Sequence, residues 1–232
     1  MTDQPRSLRF TKMHGAGNDY VYVDGFEQTL PPDDELAALA RRLAHRQTGV
    51  GGDGLIVVLP PTDGGHARMR MFNLDGSEGQ MCGNGIRCVA KLVADRGHSD
   101  ADPLKIETAS GVREIALVRE GGRVTGATVD MGEPALGVEA VGGKQGAIGR
   151  TAYFKRIDGP TYLLAGTGGV GPWEATLVSM GNPHAVVFVD DINAIDLPTD
   201  GPSLAKHPAF PDEINAHFVQ VVDGGRAIVK HW

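Results

Sequence analysis

Short strand-like segments, separated by glycine, proline and aspartate, dominate the chain from Pro103 onward. Apolar residues alternate with polar ones, or β-branched and aromatic residues cluster, in LKIETAS, REIALVRE, RVTGATVDMG, TAYFKRI, TYLLAG, WEATLVSMG, HAVVFVDD, HFVQVVDG and AIVKHW. Glycine supplies 33 of the 232 residues, about twice its usual share of roughly 7%, which favours many tight turns. We therefore predict a second half made almost entirely of strands, with one short helix at PSLAKHP and a hairpin loop at AGTGGVGP.

The first half of the chain mixes strands with two amphipathic helices. The segments LRFTKMHG, YVYVDG, LIVVLP and RMRMFN are predicted to be strands. In PPDDELAALARRLAHR, apolar residues recur at helical spacing behind an Asp cap, and IRCVAKLVADRG repeats that spacing before a stop at Gly97. A mixed half followed by a strand-rich half indicates two domains, which we place at residues 1–130 and 131–232.

The charge balance argues against a nucleic-acid surface. Lys and Arg number 22 against 29 Asp and Glu, for a net charge of -7, whereas phosphate binding normally requires a basic patch. The chain has no apolar run long enough for a signal h-region or a membrane span, so we expect a cytoplasmic protein with a small-molecule ligand or a protein partner. Its two cysteines are too few for a disulfide scaffold.

The sequence lacks the context required for three common sites, which bind a dinucleotide, zinc or pyridoxal phosphate. The segment GVGGDG, Gly49 to Gly54, spells G-x-G-x-x-G, but a dinucleotide motif follows a strand and opens a helix, and this one follows a predicted helix and opens a strand. No His or Cys near the two cysteines completes a zinc ligand set. None of the seven lysines lies in a glycine-rich setting suited to a pyridoxal phosphate Schiff base. We predict neither a metal nor a cofactor.

Cys82, in MCGNG, directly precedes the second predicted helix. A thiol there meets unsatisfied backbone N–H groups and the positive end of the helix dipole, both of which favour its ionised form. The flanking glycines leave those N–H groups open to a carboxylate, an arrangement suited to removing the α-proton of an amino acid. The alternative is a small buried cysteine beside a glycine turn. Cys88 lies inside the helix and is assigned to packing.

Four asparagines lie in glycine, proline or polar contexts, and each amide can both donate and accept hydrogen bonds. Together they can recognise an ammonium and a carboxylate on one ligand, although each alone is typical of a turn residue. They are Asn18, Asn73, Asn182 and Asn215. His184, in GNPH, is seen alone as a loop histidine more often than as a base.

These motifs resemble the diaminopimelate epimerase family of cofactor-independent amino-acid epimerases. The segments KMHGAGNDY, GVGGDG, FNLDGSEGQMCGNGIRC, MGEP, SMGNPHAVVFVDD and FPDEINAHF occur in the family's order, from about Leu8 to Trp232. Proline racemases, a related family, typically carry CGHG where this chain has CGNG. The resemblance implies an α/β (α+β) fold of two similar domains, each a curved sheet around a central helix, the first of these being the helix after Cys82.

The resemblance also implies a reaction and its residues. The reaction is epimerisation of LL-2,6-diaminopimelate to the meso form, for lysine and peptidoglycan precursor synthesis, by two acid/base cysteines on opposite sides of the α-carbon. Cys82 matches one of these cysteines, and His184 matches a catalytic position beside them. Substrate-binding positions match Asn18, Asn73, Gly83, Asn84, Asn182 and Asn215. The expected assembly is a homodimer without a cofactor.

The sequence departs from the family pattern after Trp232, where family members continue to a second cysteine motif and a second central helix. Because the proton has to return on the face opposite its removal, we expect the 232-residue chain alone to be inactive and its second domain to lack a core helix. We favour an incomplete sequence. The alternatives are a non-catalytic binding remnant produced by truncation and a racemase for another amino acid.

Overall fold

The computed structural model describes residues 7–149 and 151–232 of the chain. It divides the chain into two compact units, Met1–Met131 and Gly132–Trp232. Both units combine an extended sheet with few helices, which confirms the predicted mixed α and β class. No helix in the described residues is both long and apolar enough to cross a membrane.

The first unit contains an eight-stranded sheet with the order β1-β2-β3-β4-β6-β7-β8, in which β5 pairs with β4. Its helices are α1 (Asp33–Ala44) and α2 (Gly83–Asp95). Its strands are β1 (Thr11–Gly15), β2 (Asn18–Asp24), β3 (Gly54–Leu59), β4 (Ala67–Asn73), β5 (Glu78–Gly79), β6 (Leu104–Thr108), β7 (Gly111–Glu120) and β8 (Arg123–Val129).

Helix α2 lies at the centre of the first unit. It contacts β1 and β8, the two ends of the sheet path, as well as strands between them, so the sheet curls around the helix. The apolar stripe predicted from helical spacing, Ile86, Val89, Ala90 and Val93, is completely buried. Burying each of the larger side chains contributes about 1.5–3 kcal/mol, so this stripe fixes the helix inside the sheet.

Helix α1 covers the opposite face of β2 and β3. Leu36 packs with Val21 and Val23, whereas Tyr20 and Tyr22 on the same strand face α2. Successive side chains of a strand point to opposite faces, so β2 is buried on both sides. The predicted Asp cap of α1 is wrong, because Pro32 occupies the N-cap position and makes no side-chain cap hydrogen bond.

The second unit contains a seven-stranded sheet with the order β12-β13-β14-β15-β16-β17, in which β9 pairs with β14. Strands β10 and β11 form a separate two-stranded sheet. The elements are β9 (Ala135–Leu136), β10 (Ala147–Ile148), β11 (Thr151–Ala152), β12 (Phe154–Asp158), β13 (Thr161–Leu164), β14 (Trp173–Ser179), β15 (Pro183–Phe188), α3 (Leu197–Ala205), β16 (Asn215–Asp223) and β17 (Arg226–His231).

Two predicted elements of this unit differ in the structure. The segment TAYFKRI forms two strands, β11 and β12, because the chain changes its pairing partner at Tyr153. The Tyr153 N–H donates to the carbonyl of Gly146 at 2.8 Å, and this bond belongs to the ladder of neither strand. The helix predicted at PSLAKHP begins earlier, at Leu197, and ends at Ala205. Its proline and glycine content obscured it. Gly201 is required there because a Cβ atom would lie 2.7 Å from the Cβ of Trp232.

Candidate active site

Cys82 occupies the N-cap of α2, as the sequence predicted. Its backbone is extended, with φ -132° and ψ 112°, and its Sγ atom accepts a hydrogen bond from the Gly85 N–H at 3.3 Å. The thiol is partly buried, whereas Cys88, six residues further on, is only 7% exposed and packs in the core. Cys82 is therefore the cysteine placed to meet a ligand at the start of the helix.

Glycines bring the start of α2 close to the sheet. A Cβ atom on Gly85 would lie 2.7 Å from Cδ1 of Ile56, and one on Gly15, at the tip of the β1–β2 hairpin, would lie 2.6 Å from the carbonyl oxygen of Asn84. Side chains at either position would push the helix away from the strands. Gly15 of HGAGND and Gly85 of CGNG are thus needed for close packing at the candidate site.

The candidate residues of the first unit gather at one end of its sheet. Strand β2 begins at Asn18 and β4 ends at Asn73, and both strands pair with β3 near Gly54. The Asn84 amide nitrogen donates to Oδ1 of Asn18 at 2.6 Å, which ties the helix start to the hairpin tip. Asn73 donates to the hydroxyl of Ser77 at 3.0 Å.

Tyr20 was missed by the sequence reasoning. It is 5% exposed and lies on the face of β2 that packs against α2. Burial, together with the negative charge of a Cys82 thiolate and its hydrogen bonding to the phenol, raises the pKa of Tyr20. The phenol therefore stays protonated at neutral pH and can donate to a sulfur anion. The alternating pattern of YVYVD was the available signal, but it does not reveal which side chain faces the cysteine.

In the second unit, three candidate residues lie at the starts of two adjacent parallel strands. His184 of β15 is in register with Asn215 of β16. The Asn215 amide donates to the carbonyl of Pro183 at 2.8 Å, and the Asn182 Oδ1 atom lies 3.1 Å from Nε2 of His184. The polar groups of this second cluster are thus held in place by neighbouring backbone and side chains.

His184 also contacts His217, which sequence reasoning did not identify. Its Nδ1 atom lies 2.9 Å from Nε2 of His217, so one ring donates a hydrogen bond to the other. Burial lowers the pKa of both histidines, and the neighbouring charges of His184 and His231 lower that of His217 further. Both rings are therefore predominantly neutral at pH 7. Because Oδ1 of Asn182 can only accept, His184 donates to it through Nε2, and its Nδ1 atom accepts from His217.

One group in the described residues offers metal-type ligands, namely Asp24, Glu27 and His98. Arg96 already lies against it, with Nη1 at 2.7 Å from Asp24 and 3.7 Å from Glu27. Burial opposes ionisation of Asp24, but hydrogen bonds from His98 and Arg96 outweigh it and lower its pKa. The guanidinium supplies the positive charge that a metal ion would bring, so this is a structural ion-pair cluster.

The chain matches the family model described as diaminopimelate epimerase over residues 10–137 and 176–232. Among curated relatives, the diaminopimelate epimerase of Desulfovibrio desulfuricans is 42% identical over 97% of this chain and 76% of its own length. That of Geobacillus kaustophilus is 44% identical over 98% of this chain and 74% of its own length. The chain thus spans about three quarters of these relatives.

Solved structures share the fold at low sequence identity. A probable proline racemase from Agrobacterium radiobacter is 15% identical, with a TM-score of 0.64 over 97% of this chain and 70% of its own. A hydroxyproline epimerase from Agrobacterium vitis is 16% identical, with a TM-score of 0.61 over 97% and 69%. The matching family model, the extent of identity to its curated members and this fold together establish that the chain belongs to the diaminopimelate epimerase family.

Proposed function

We propose that the protein interconverts LL-2,6-diaminopimelate and meso-diaminopimelate without a cofactor, using Cys82 as one acid/base thiol. The observation that carries the proposal is the position of Cys82 at the N-cap of α2, with glycine on its C-terminal side. Membership of the family and two relatives of 42% and 44% identity named as this epimerase support the substrate. The enzyme is an isomerase of small molecules, and its product would enter lysine and peptidoglycan precursor synthesis.

The proposed chemistry follows from the local charge. The Cys82 thiolate takes the α-proton, and the electron pair left on the α-carbon delocalises into the α-carboxylate. The backbone N–H groups of Gly83 and Asn84, at the start of α2, stabilise that developing charge, because they have no acceptor within the helix and lie at the positive end of its dipole. The Gly85 N–H instead donates to the Cys82 sulfur. In the reverse direction the Cys82 thiol returns the proton.

Inversion requires a second acid on the other side of the α-carbon. Cys88 is not proposed for that role, because it is 7% exposed and packed within the core. By family resemblance the second acid is another cysteine. Cys82 alone therefore accounts for proton exchange on one face of the substrate, and this half-reaction can be measured separately from inversion.

The remaining candidates are proposed as ligands for the two amino-acid heads of the substrate. Their amide and backbone groups would bind carboxylate and ammonium groups through hydrogen bonds. These ligands are Asn18, Asn73, Gly83, Asn84, Asn182 and Asn215. His184, kept neutral by burial, would position the Asn182 amide. We also propose a homodimer in the cytoplasm, and light scattering on the purified protein measures the assembly.

The test is exchange in D₂O. The protein is incubated with LL- or meso-diaminopimelate, and deuterium at the α-carbon and the isomer ratio are followed by NMR. We expect exchange with the wild type and a loss of about 10²–10⁴-fold in Cys82→Ala, the usual contribution of a general acid/base. Cys88→Ala is the matched control and should retain the activity. Undiminished exchange in Cys82→Ala would contradict the assignment of Cys82 as the acid/base thiol. A preference for proline, or for another amino acid without a second amino-acid group, would contradict diaminopimelate as the substrate.

A further inference from the structure

The segment GVGGDG packs against the tip of the β1–β2 hairpin. The Asp53 N–H donates to the Asp19 carbonyl at 2.6 Å, and the Asp19 N–H donates back to Oδ2 of Asp53 at 3.0 Å. A Cβ atom on Gly52 would lie 2.7 Å from that same carbonyl. The loop therefore needs glycine for its close approach to the hairpin.

A chain of four side chains runs from this loop to α2, and every bond in it points the same way. Arg87 Nη2 donates to Oδ1 of Asn84 at 2.5 Å, Asn84 donates to Oδ1 of Asn18 at 2.6 Å, and Asn18 donates to Oδ2 of Asp53 at 3.1 Å. A guanidinium can only donate and a carboxylate can only accept. The charged ends therefore fix the orientation of both amides, because flipping either one would set donor against donor or acceptor against acceptor.

The carboxylate end of this chain is itself held by a cation. Arg46 Nη2 lies 2.9 Å from Oδ1 of Asp53 and 2.8 Å from Oδ1 of Asp19. Hydrogen bonds from Arg46 and Lys12 lower the pKa of Asp19 to about 2. At the other end, Arg87 forms no salt bridge within the described residues, so Asn84 is its bonded side-chain partner.

We propose that Asp53 is a positioning residue for the candidate active site: it fixes the amide orientation of Asn18 and, through Asn18, that of Asn84. Each amide then presents its second N–H and its second lone pair in a single arrangement to a ligand beside Cys82. The functional consequence of this inference rests on the proposed function, because Asn18 and Asn84 are proposed there as substrate ligands. The orientation itself depends only on the hydrogen bonds.

The experiment compares Asp53→Asn, Asn18→Ala and the double variant in the exchange assay. The Asp53→Asn side chain keeps its size but no longer requires a donor from Asn18. We expect kcat/KM to fall about tenfold, mainly through KM, as for loss of one hydrogen bond to a charged group. The double variant should be no worse than Asn18→Ala, because Asp53 acts through Asn18. Losses that multiply in the double variant would overturn the proposal.

A matched control and a second measurement separate this inference from the proposed function. The control is Asp33→Asn, which removes an ion pair between Asp33 and Arg70. The Asp33 side chain is 81% exposed, so this variant should leave the activity unchanged. The side-chain amide NMR signals of Asn18 and Asn84 should shift in Asp53→Asn and not in Asp33→Asn. Unshifted signals would overturn the inference whatever the activity. Shifted signals without any diaminopimelate exchange in the wild type would support the positioning and contradict the proposed function.

Discussion

At the scale of single residues, Glu107 is a buried carboxylate outside the candidate site that is held by several hydrogen bonds. It is 5% exposed and accepts hydrogen bonds from the backbone N–H groups of Thr62, Asp63 and Gly65 at 2.6–3.0 Å. Burial alone would raise the pKa of Glu107, but these backbone bonds outweigh it and lower the value to about 2. The ionised carboxylate thus organises the loop between β3 and β4.

We predict that Glu107→Gln destabilises the first unit by on the order of 1–3 kcal/mol, because the amide nitrogen sets a donor against backbone donors. The folded pKa lies below the unfolded one, so the wild type keeps this stabilisation above about pH 4.5 and loses it toward pH 2, whereas the variant lacks that pH dependence. Urea unfolding at several pH values measures both effects. Glu114→Gln is the control, because the Glu114 side chain is 54% exposed and pairs with Lys105 at the surface. An equal loss of stability in this control would contradict the prediction.

At the scale of elements, close contact between strands is fixed by a few glycines. A Cβ atom on Gly54 would overlap the carbonyl oxygen of Phe72 on the neighbouring strand β4. That end of the β3–β4 pair carries Asn73 and lies beside the hairpin tip with Asn18. The pairing of β3 with β4 and the grouping of candidate residues therefore depend on the same position.

We predict that Gly54→Ala costs about 2 kcal/mol or more in stability, because the two strands must separate where the methyl group enters. Thermal unfolding measures the loss. Gly224→Ala is the matched control, since a Cβ atom there would meet nothing within 4 Å and its φ is not in the left-handed region. Equal midpoints for the two variants would show that the contact relaxes without cost.

At the scale of the whole molecule, the buried histidines of the second unit set a pH limit on folding. His207 is 1% exposed and uses both ring nitrogens, one facing the carbonyl of Ala165 at 2.9 Å and the other accepting from the Ala209 N–H at 3.1 Å. Burial lowers the pKa of His207, and it does the same for His184 and His217. The folded chain therefore binds fewer protons than the unfolded chain just below pH 6.5.

We predict that the free energy of unfolding is greatest above about pH 6.5 and falls as the pH drops below it, because protons then bind preferentially to the unfolded state. Replacing His217 by Gln should flatten part of this dependence. Chemical unfolding between pH 8 and 5 measures the slopes. Parallel slopes for the wild type and His217→Gln would exclude a contribution from this histidine.

The sequence by itself determined the features that depend on local spacing. Apolar periodicity identified α1 and α2, the glycine-rich run before Ile86 put Cys82 at a helix start, and the helix-to-strand context argued against a nucleotide site at GVGGDG. The match of several motifs in order indicated the family. The N-terminal cap of α1 was mispredicted: an aspartate after proline suggests a capping residue, whereas Asp33 is already the first residue of the helix.

Only the tertiary structure decided which distant residues meet. Asn18 and Asn84 are 66 positions apart, and neither residue carries a local sign of the other. Likewise, Asp53 became a positioning candidate and Tyr20 a neighbour of Cys82 only once the register of β2 and β3 and the depth of α2 in the curled sheet were known. The physical reason is that secondary structure reflects bonds between near neighbours, whereas an active site depends on sheet register and helix packing, where one residue of slip turns a side chain to the opposite face.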